Sequence, residues 1–170
     1  MKRLIFAVIL ALPVHALAQD FPKMRAGLWQ LSTATNNAGA PAAAQTPAHV
    51  TTLCIDESVQ KQMVQFSQGM MRGMCSKHDM RVAGDTVSTD SVCGLMGSSI
   101  ATKAVMKFAG GTSYHTVAHS TYDPPLQGMK ETNTIVDGKY TGACPAGMAP
   151  GDMKLPGGNT INLKSITSGQ

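Results

Sequence analysis

From Cys75 to Cys144 the chain is cut at short intervals by turn-forming pairs, Gly84-Asp85, Gly110-Gly111 and Asp137-Gly138, and the stretches between them alternate apolar and polar side chains. A period of two puts alternate residues on opposite faces of a strand, so residues 79–83, 86–93, 98–109, 112–123 and 128–136 read as strands. The last of these is expected to turn at Asp137-Gly138 and return through Lys139 to Cys144, and Asp123-Pro124-Pro125 is expected to stop the fourth. In the third, Ile100, Thr102, Ala104, Met106 and Phe108 share a face opposite Lys103 and Lys107. Connections this short leave no room for the long crossovers that parallel partners need. The expected fold is therefore mainly β: an antiparallel meander curved into a sandwich or open barrel, with one amphipathic α-helix.

That helix comes from the preceding segment. Residues 27–35, GLWQLSTAT, alternate as a half-buried strand, residues 36–47 read as a loop of small residues broken by prolines, and residues 49–55 return to β-favouring side chains. Asp56 is placed to accept from the free amides of a first helical turn, and Glu57 complements the helix dipole. Val59, Met63, Phe66 and Met70 then recur at steps of four, three and four as one apolar stripe, with Gly69 and Gly73 as exit points.

The first eighteen residues belong to a different category. Lys2 and Arg3 precede an apolar run from Leu4 to Leu12 and the small-residue pattern Ala16-Leu17-Ala18, the layout of a secretory leader cleaved after Ala18. The run is shorter than the roughly 18–20 apolar residues of a membrane helix, and no later segment reaches that length. Three regions follow: a leader over 1–18, a β-rich domain over 19–144, and a Gly/Pro-rich tail over 145–170. The tail is expected to be mobile apart from a possible terminal strand. Loss of Lys2 and Arg3 lowers the formal charge from +4 to +2, too little to point to nucleic acid.

Export also sets the chemistry of the four cysteines, Cys54, Cys75, Cys93 and Cys144, which enter a compartment where disulfides persist. Four cysteines allow three pairings and spacing alone selects none. A hairpin centred on residues 81–87 would set Cys75 beside Cys93 and leave Cys54 with Cys144.

The run Met24-Arg25-Ala26-Gly27-Leu28-Trp29-Gln30-Leu31, the junction Cys54-Ile55-Asp56-Glu57-Ser58, Cys75, Cys93 and the closing Gly138-Lys139-Tyr140-Thr141-Gly142-Ala143-Cys144 together resemble the bacterial family known as domain of unknown function 3617. The resemblance spans about Phe21 to Cys144. It implies an exported, disulfide-bearing small domain of Gram-negative bacteria and brings no activity with it. The alanine-rich loop and the long tail depart from the compact family pattern.

Candidate sites are few. Met70, Met71, Met74, His78 and Met80 crowd into eleven residues, and thioether with imidazole is a ligand set that selects copper(I). Against that, Met70 continues the apolar stripe, the glycines blur the helical register, and an oxidised Cys75 has no thiolate to offer. Packing and an adaptable methionine surface therefore outweigh a metal site. His115 and His119 lie four apart on a strand, roughly 13 Å, and cannot chelate one ion together. His49 is isolated.

No G-x-S-x-G, H-E-x-x-H, C-x-x-C or phosphate loop occurs, and no base is placed beside a nucleophile, so no enzyme is expected. The expected role is non-catalytic binding or interaction in the cell envelope, with an unknown envelope protein or small ligand as partner and no cofactor. Copper or another soft metal is the alternative.

Overall fold

The computed structural model describes residues 21–38 and 48–167, so the leader and residues 39–47 of the expected alanine-rich loop lie outside the described residues. The elements in chain order are β1 (Gly27–Ala38), β2 (His49–Ile55), α1 (Glu57–Met74), β3 (Cys75–Ala83), β4 (Thr86–Leu95), β5 (Ser98–Ala109), β6 (Ser113–Leu126), β7 (Met129–Gly142), β8 (Asp152–Lys154), β9 (Thr160–Asn162) and α2 (Leu163–Thr167). The strands form one open antiparallel sheet in the order β3-β4-β5-β6-β7-β1-β2-β8-β9. The meander from β3 to β7 is what the turn signals predict, and β1 joins it by pairing with β7 from Leu28 opposite Gly142 to Ala38 opposite Glu131. The sheet is thus a single open antiparallel layer with α1 on one face.

Register fixes the two faces. Trp29 lies opposite Leu53 on one side and Tyr140 on the other, Tyr114 opposite Phe108 and Gly138, and Met106 opposite Val87 and Thr116. These residues make up the inner face, and Lys103, Lys107, His115 and His119 point outward as period-two alternation requires. The core collects at one end of the inner face, where Trp29, Leu53 and Ile55 are buried with Met24, Leu31, Tyr114, Tyr140, Met153 and Leu163 against them. Trp29 stacks on Tyr114 at 5.9 Å and meets Tyr140 edge-on at 6.3 Å, and its indole N–H donates to the Arg25 carbonyl at 2.8 Å. One aromatic cluster, with its polar hydrogen satisfied, anchors a core otherwise poor in rings.

Several boundaries differ from expectation for identifiable reasons. Asp137-Gly138 makes no turn: β7 runs through it, because the Tyr114 ring occupies the space a side chain at 138 would need and Asp137 pairs with His115 across the strands. The turn falls instead at Gln127-Gly128, both at positive φ, between Leu126 and Met129. That is the geometry of a two-residue hairpin loop. Asp123-Pro124-Pro125 does not stop β6, which continues to Leu126 with a cis Asp123–Pro124 bond, and the Ser98 hydroxyl donates to the Pro124 carbonyl. β1 reaches Ala38, three residues into the expected loop, because β7 supplies partners that far.

Gly69 and Gly73 do not end α1, which continues to Met74 and is capped where Cys75 turns extended. Strand β3 accordingly starts at Cys75, four residues earlier than expected. The segment after Cys144 is also more structured than expected: β8 pairs with β2, β9 pairs with β8, and Gly151 N–H donates to the Cys54 carbonyl at 2.8 Å. Strands of three residues carry too little periodicity to be read in advance.

The cysteines pair as Cys54–Cys144 and Cys75–Cys93, with no free thiol among the described residues. The second bond links the ends of β3 and β4, and the first ties the end of β7 to β2 beside the start of α1.

Candidate functional site

α1 has to travel from β2, on one side of the sheet, to β3, at its far edge, so it crosses the inner face. Its start is fixed by Asp56, whose carboxylate accepts from the Val59 N–H and the Ser58 hydroxyl, each at 2.7 Å. Those bonds hold the Asp56 carboxyl below the usual carboxylate range. Lys164 of α2 approaches the same carboxylate at 3.9 Å. Val59, the first residue of the expected stripe, is buried, but Met63 and Met70 are 38% and 42% exposed. The face of α1 turned to the sheet instead carries Gln60, Met63, Val64 and Ser67. Gln60 holds the chain's N-terminal segment beneath the helix, donating to the Pro22 carbonyl at 2.9 Å and accepting from the Met24 N–H at 3.2 Å.

Beneath that face lies a hollow of about 210 Å³, lined by Phe21, Gln60, Met63, Val64, Ser67, Met80, Met106 and Tyr114. Six of the eight are apolar or aromatic, and no charged group is among them. Burial pushes the Tyr114 phenol up to about 12, so its side chain is neutral throughout the physiological range. Thr116, next to Tyr114 on the same face and opposite Met106, has a buried hydroxyl with no hydrogen-bond partner among the described residues. A second hollow of about 290 Å³ adjoins the first, lined by Gln68, Arg72, His78 and Met80. Met80 borders both. The His78 Nδ1 atom is buried and unpartnered among the described residues.

The five candidate soft-metal ligands lie on α1 and β3. Met70 and Met74 stand 42% and 44% exposed on α1. Met71 packs its sulfur 3.5 Å from the Cys75 sulfur, which is committed to a disulfide. His78 and Met80 share the inner face of β3 and meet Arg72, a fixed cation that opposes a metal ion. Among the described residues no group of three or more His, Cys, Asp and Glu is placed to hold a metal.

On the outer face the two strand histidines have cross-strand partners. His115 Nδ1 lies 2.7 Å from an Asp137 carboxylate oxygen, and His119 Nδ1 lies 2.9 Å from the Asn133 side-chain oxygen. A hollow of about 600 Å³ opens beside the first pair near the β5–β6 turn and is bordered by Lys107 and Lys139. A His–Asp pair is two-thirds of a nucleophile-activating triad, but among the described residues no serine, threonine or cysteine is hydrogen-bonded to the His115 ring. The Asp137 contact orients a surface imidazole.

Sequence reasoning singled out Met80 but missed Gln60, Val64, Ser67 and Tyr114 as residues lining the same hollow. Their proximity arises only when α1 folds back over β5 and β6, which local periodicity does not encode. The one available signal was the placement of Met106 on the same face as Phe108.

No helix among the described residues is long and apolar enough to cross a membrane. No curated protein matches the chain. The family model described as a protein of unknown function, DUF3617, matches residues 24–144, from the segment pinned by Gln60 to the last cysteine. That span holds β1 to β7, α1 and both disulfides, and the chain belongs to this family.

Proposed function

We propose that the protein is an exported, non-catalytic binding domain of the cell envelope that holds a small apolar or amphiphilic molecule between α1 and the inner face of the sheet. The observation that carries this reading is the hollow of about 210 Å³ bounded by Phe21, Met63, Val64, Met80, Met106 and Tyr114. An apolar cavity of about 150 Å³ is enough to stay dry and take up benzene, so this one suits a ring or the end of an alkyl chain. Methionine supplies three of its walls, and an unbranched thioether adapts to ligands of differing shape. Export, to the periplasm or beyond, is supported by the leader-like first eighteen residues and by two disulfides of the kind that persist in oxidising compartments.

A titration with N-phenyl-1-naphthylamine, which brightens in apolar surroundings, tests the reading. Saturable binding that is lost in Ser67→Phe, where a ring enters the hollow from the helix side, is the expected result. Absence of saturable binding by the folded, disulfide-intact protein contradicts it. Copper or another soft metal bound through Met70, Met71, Met74, His78 and Met80 is the lesser reading. It requires a stoichiometric copper(I) site that Met71→Leu with Met74→Leu abolishes.

A further inference from the structure

The two hollows under α1 differ in character and share Met80 as a wall. They follow the helix from Gln60 to Arg72, a length of about 18 Å at the α-helical rise. One end is apolar, bordered by Tyr114 and by Phe21, whose ring meets Phe108 edge-on at 5.5 Å. The other is polar, formed by Gln68, Arg72 and His78, with no carboxylate in its lining.

Two groups at the polar end are open to a ligand: a buried imidazole nitrogen and an exposed guanidinium. His78 Nδ1 is buried without a hydrogen bond from any described residue, a condition that native structures seldom leave unexplained. The exposed Arg72 guanidinium makes a long contact from Nε to the Gln68 carbonyl, 3.4 Å, and has no ion pair among the described residues. Of the acids nearest in sequence, Asp79 points to the other face of β3, where it and Asp90 neutralise Lys77 at 3.6 and 3.0 Å. A planar fork of donors beside an imidazole and an amide is a recognition set for a carboxylate. The C-terminal end of α1 opposes negative charge, but a partial charge at an exposed terminus is weaker than charge-assisted bonds from Arg72.

We infer that the ligand is an acidic amphiphile lying lengthwise beneath α1, with its carboxylate head at Gln68, Arg72 and His78 and its alkyl tail among Met63, Val64, Met106 and Tyr114. The inference rests on the proposed binding cleft and adds the polarity and direction of its occupant. Together the two hollows reach the size range of ordinary ligand pockets, about 300–1,000 Å³.

Calorimetric titration of the mature, oxidised protein with three probes of one chain length, decanoate, decanol and decyltrimethylammonium, tests it. Decanoate should bind most tightly. Arg72→Gln and His78→Gln should each weaken decanoate about tenfold, the loss expected for one charge-assisted bond, and leave decanol within twofold. Ser67→Phe should weaken both. If decanoate and decanol bind equally and both are insensitive to the polar substitutions, the assignment of the head is overturned while the cleft stands. If decyltrimethylammonium binds best, the inferred charge is wrong. If none of the three binds, or Ser67→Phe changes nothing, the cleft reading falls and this inference with it.

Discussion

Gly138→Ala is the substitution whose sign depends most directly on the packing described here. Replacing a strand glycine with alanine ordinarily stabilises by about 0.4–1 kcal/mol, because the unfolded chain loses freedom. At this position a Cβ falls on the Tyr114 ring, within 2.7 Å of its Cδ1 and closer to other ring atoms. The ring cannot retreat freely, because Trp29 stacks on it at 5.9 Å and Phe108 touches it at 5.7 Å. Displacing it weakens two aromatic contacts of about 0.5–1.5 kcal/mol each. Crowding a packed site costs a further 1–3 kcal/mol or so. The net expectation is a loss of about 2–5 kcal/mol, read as a fall in Tm of roughly 6–15 °C for a chain of this size. Urea denaturation of the oxidised protein measures it. The control is the same change in a Tyr114→Ala background, where the ring is gone and Gly138→Ala should become neutral or stabilising. A loss of equal size in both backgrounds would refute the steric argument.

Three further expectations follow from the same structure. Removing Cys54–Cys144, which closes a loop of sequence separation 90, should cost more than removing Cys75–Cys93, with separation 18; loop entropy gives about 4.5 against about 3 kcal/mol, checked by denaturation of the two paired-alanine variants. Asp56→Ala should cost about 1 kcal/mol at neutral pH through loss of the cap. Because the folded state lowers the Asp56 pKa, its stabilisation is present above the unfolded value near 3.8 and disappears as pH falls through the lowered one, so wild type and variant should converge in acid. Tyr114 should be the last tyrosine to ionise in an ultraviolet titration; since its folded pKa is raised, its contribution holds below pH 10 and is lost as pH climbs towards about 12.

How much of this was legible in the sequence depended on how local each cause is. The run of strands from β3 to β7, the strand at Trp29, the Asp56 cap and the Cys75–Cys93 cross-link all follow from alternation and turn chemistry within a few residues. Asp137-Gly138 misled because its turn chemistry is overridden by Tyr114 and His115, which lie more than twenty residues away in the chain. Gly69 and Gly73 looked like helix exits, but α1 must reach the far edge of the sheet, and nothing within 4 Å crowds either glycine out of a helix. His115 and His119 were correctly kept apart, and their partners Asp137 and Asn133 became visible only with the strand register. The methionine cluster was visible but its grouping was not. Met70 and Met74 stand exposed on α1 and Met71 packs against the Cys75 sulfur, whereas Met63, Met80 and Met106, spread over more than forty residues, line one hollow. The cleft is a product of α1 folding over the sheet, and no single segment announces it.

Methionine methyl groups report on that cleft without altering it. With ¹³C-methyl-labelled protein, titration of decanol should shift the resonances of Met63, Met80 and Met106 saturably and leave Met96, 78% exposed at a hairpin tip, in place. Shifts confined to Met96 and the exposed Met70 and Met74, or none at saturation of the solvent with decanol, would contradict a ligand site between α1 and the sheet.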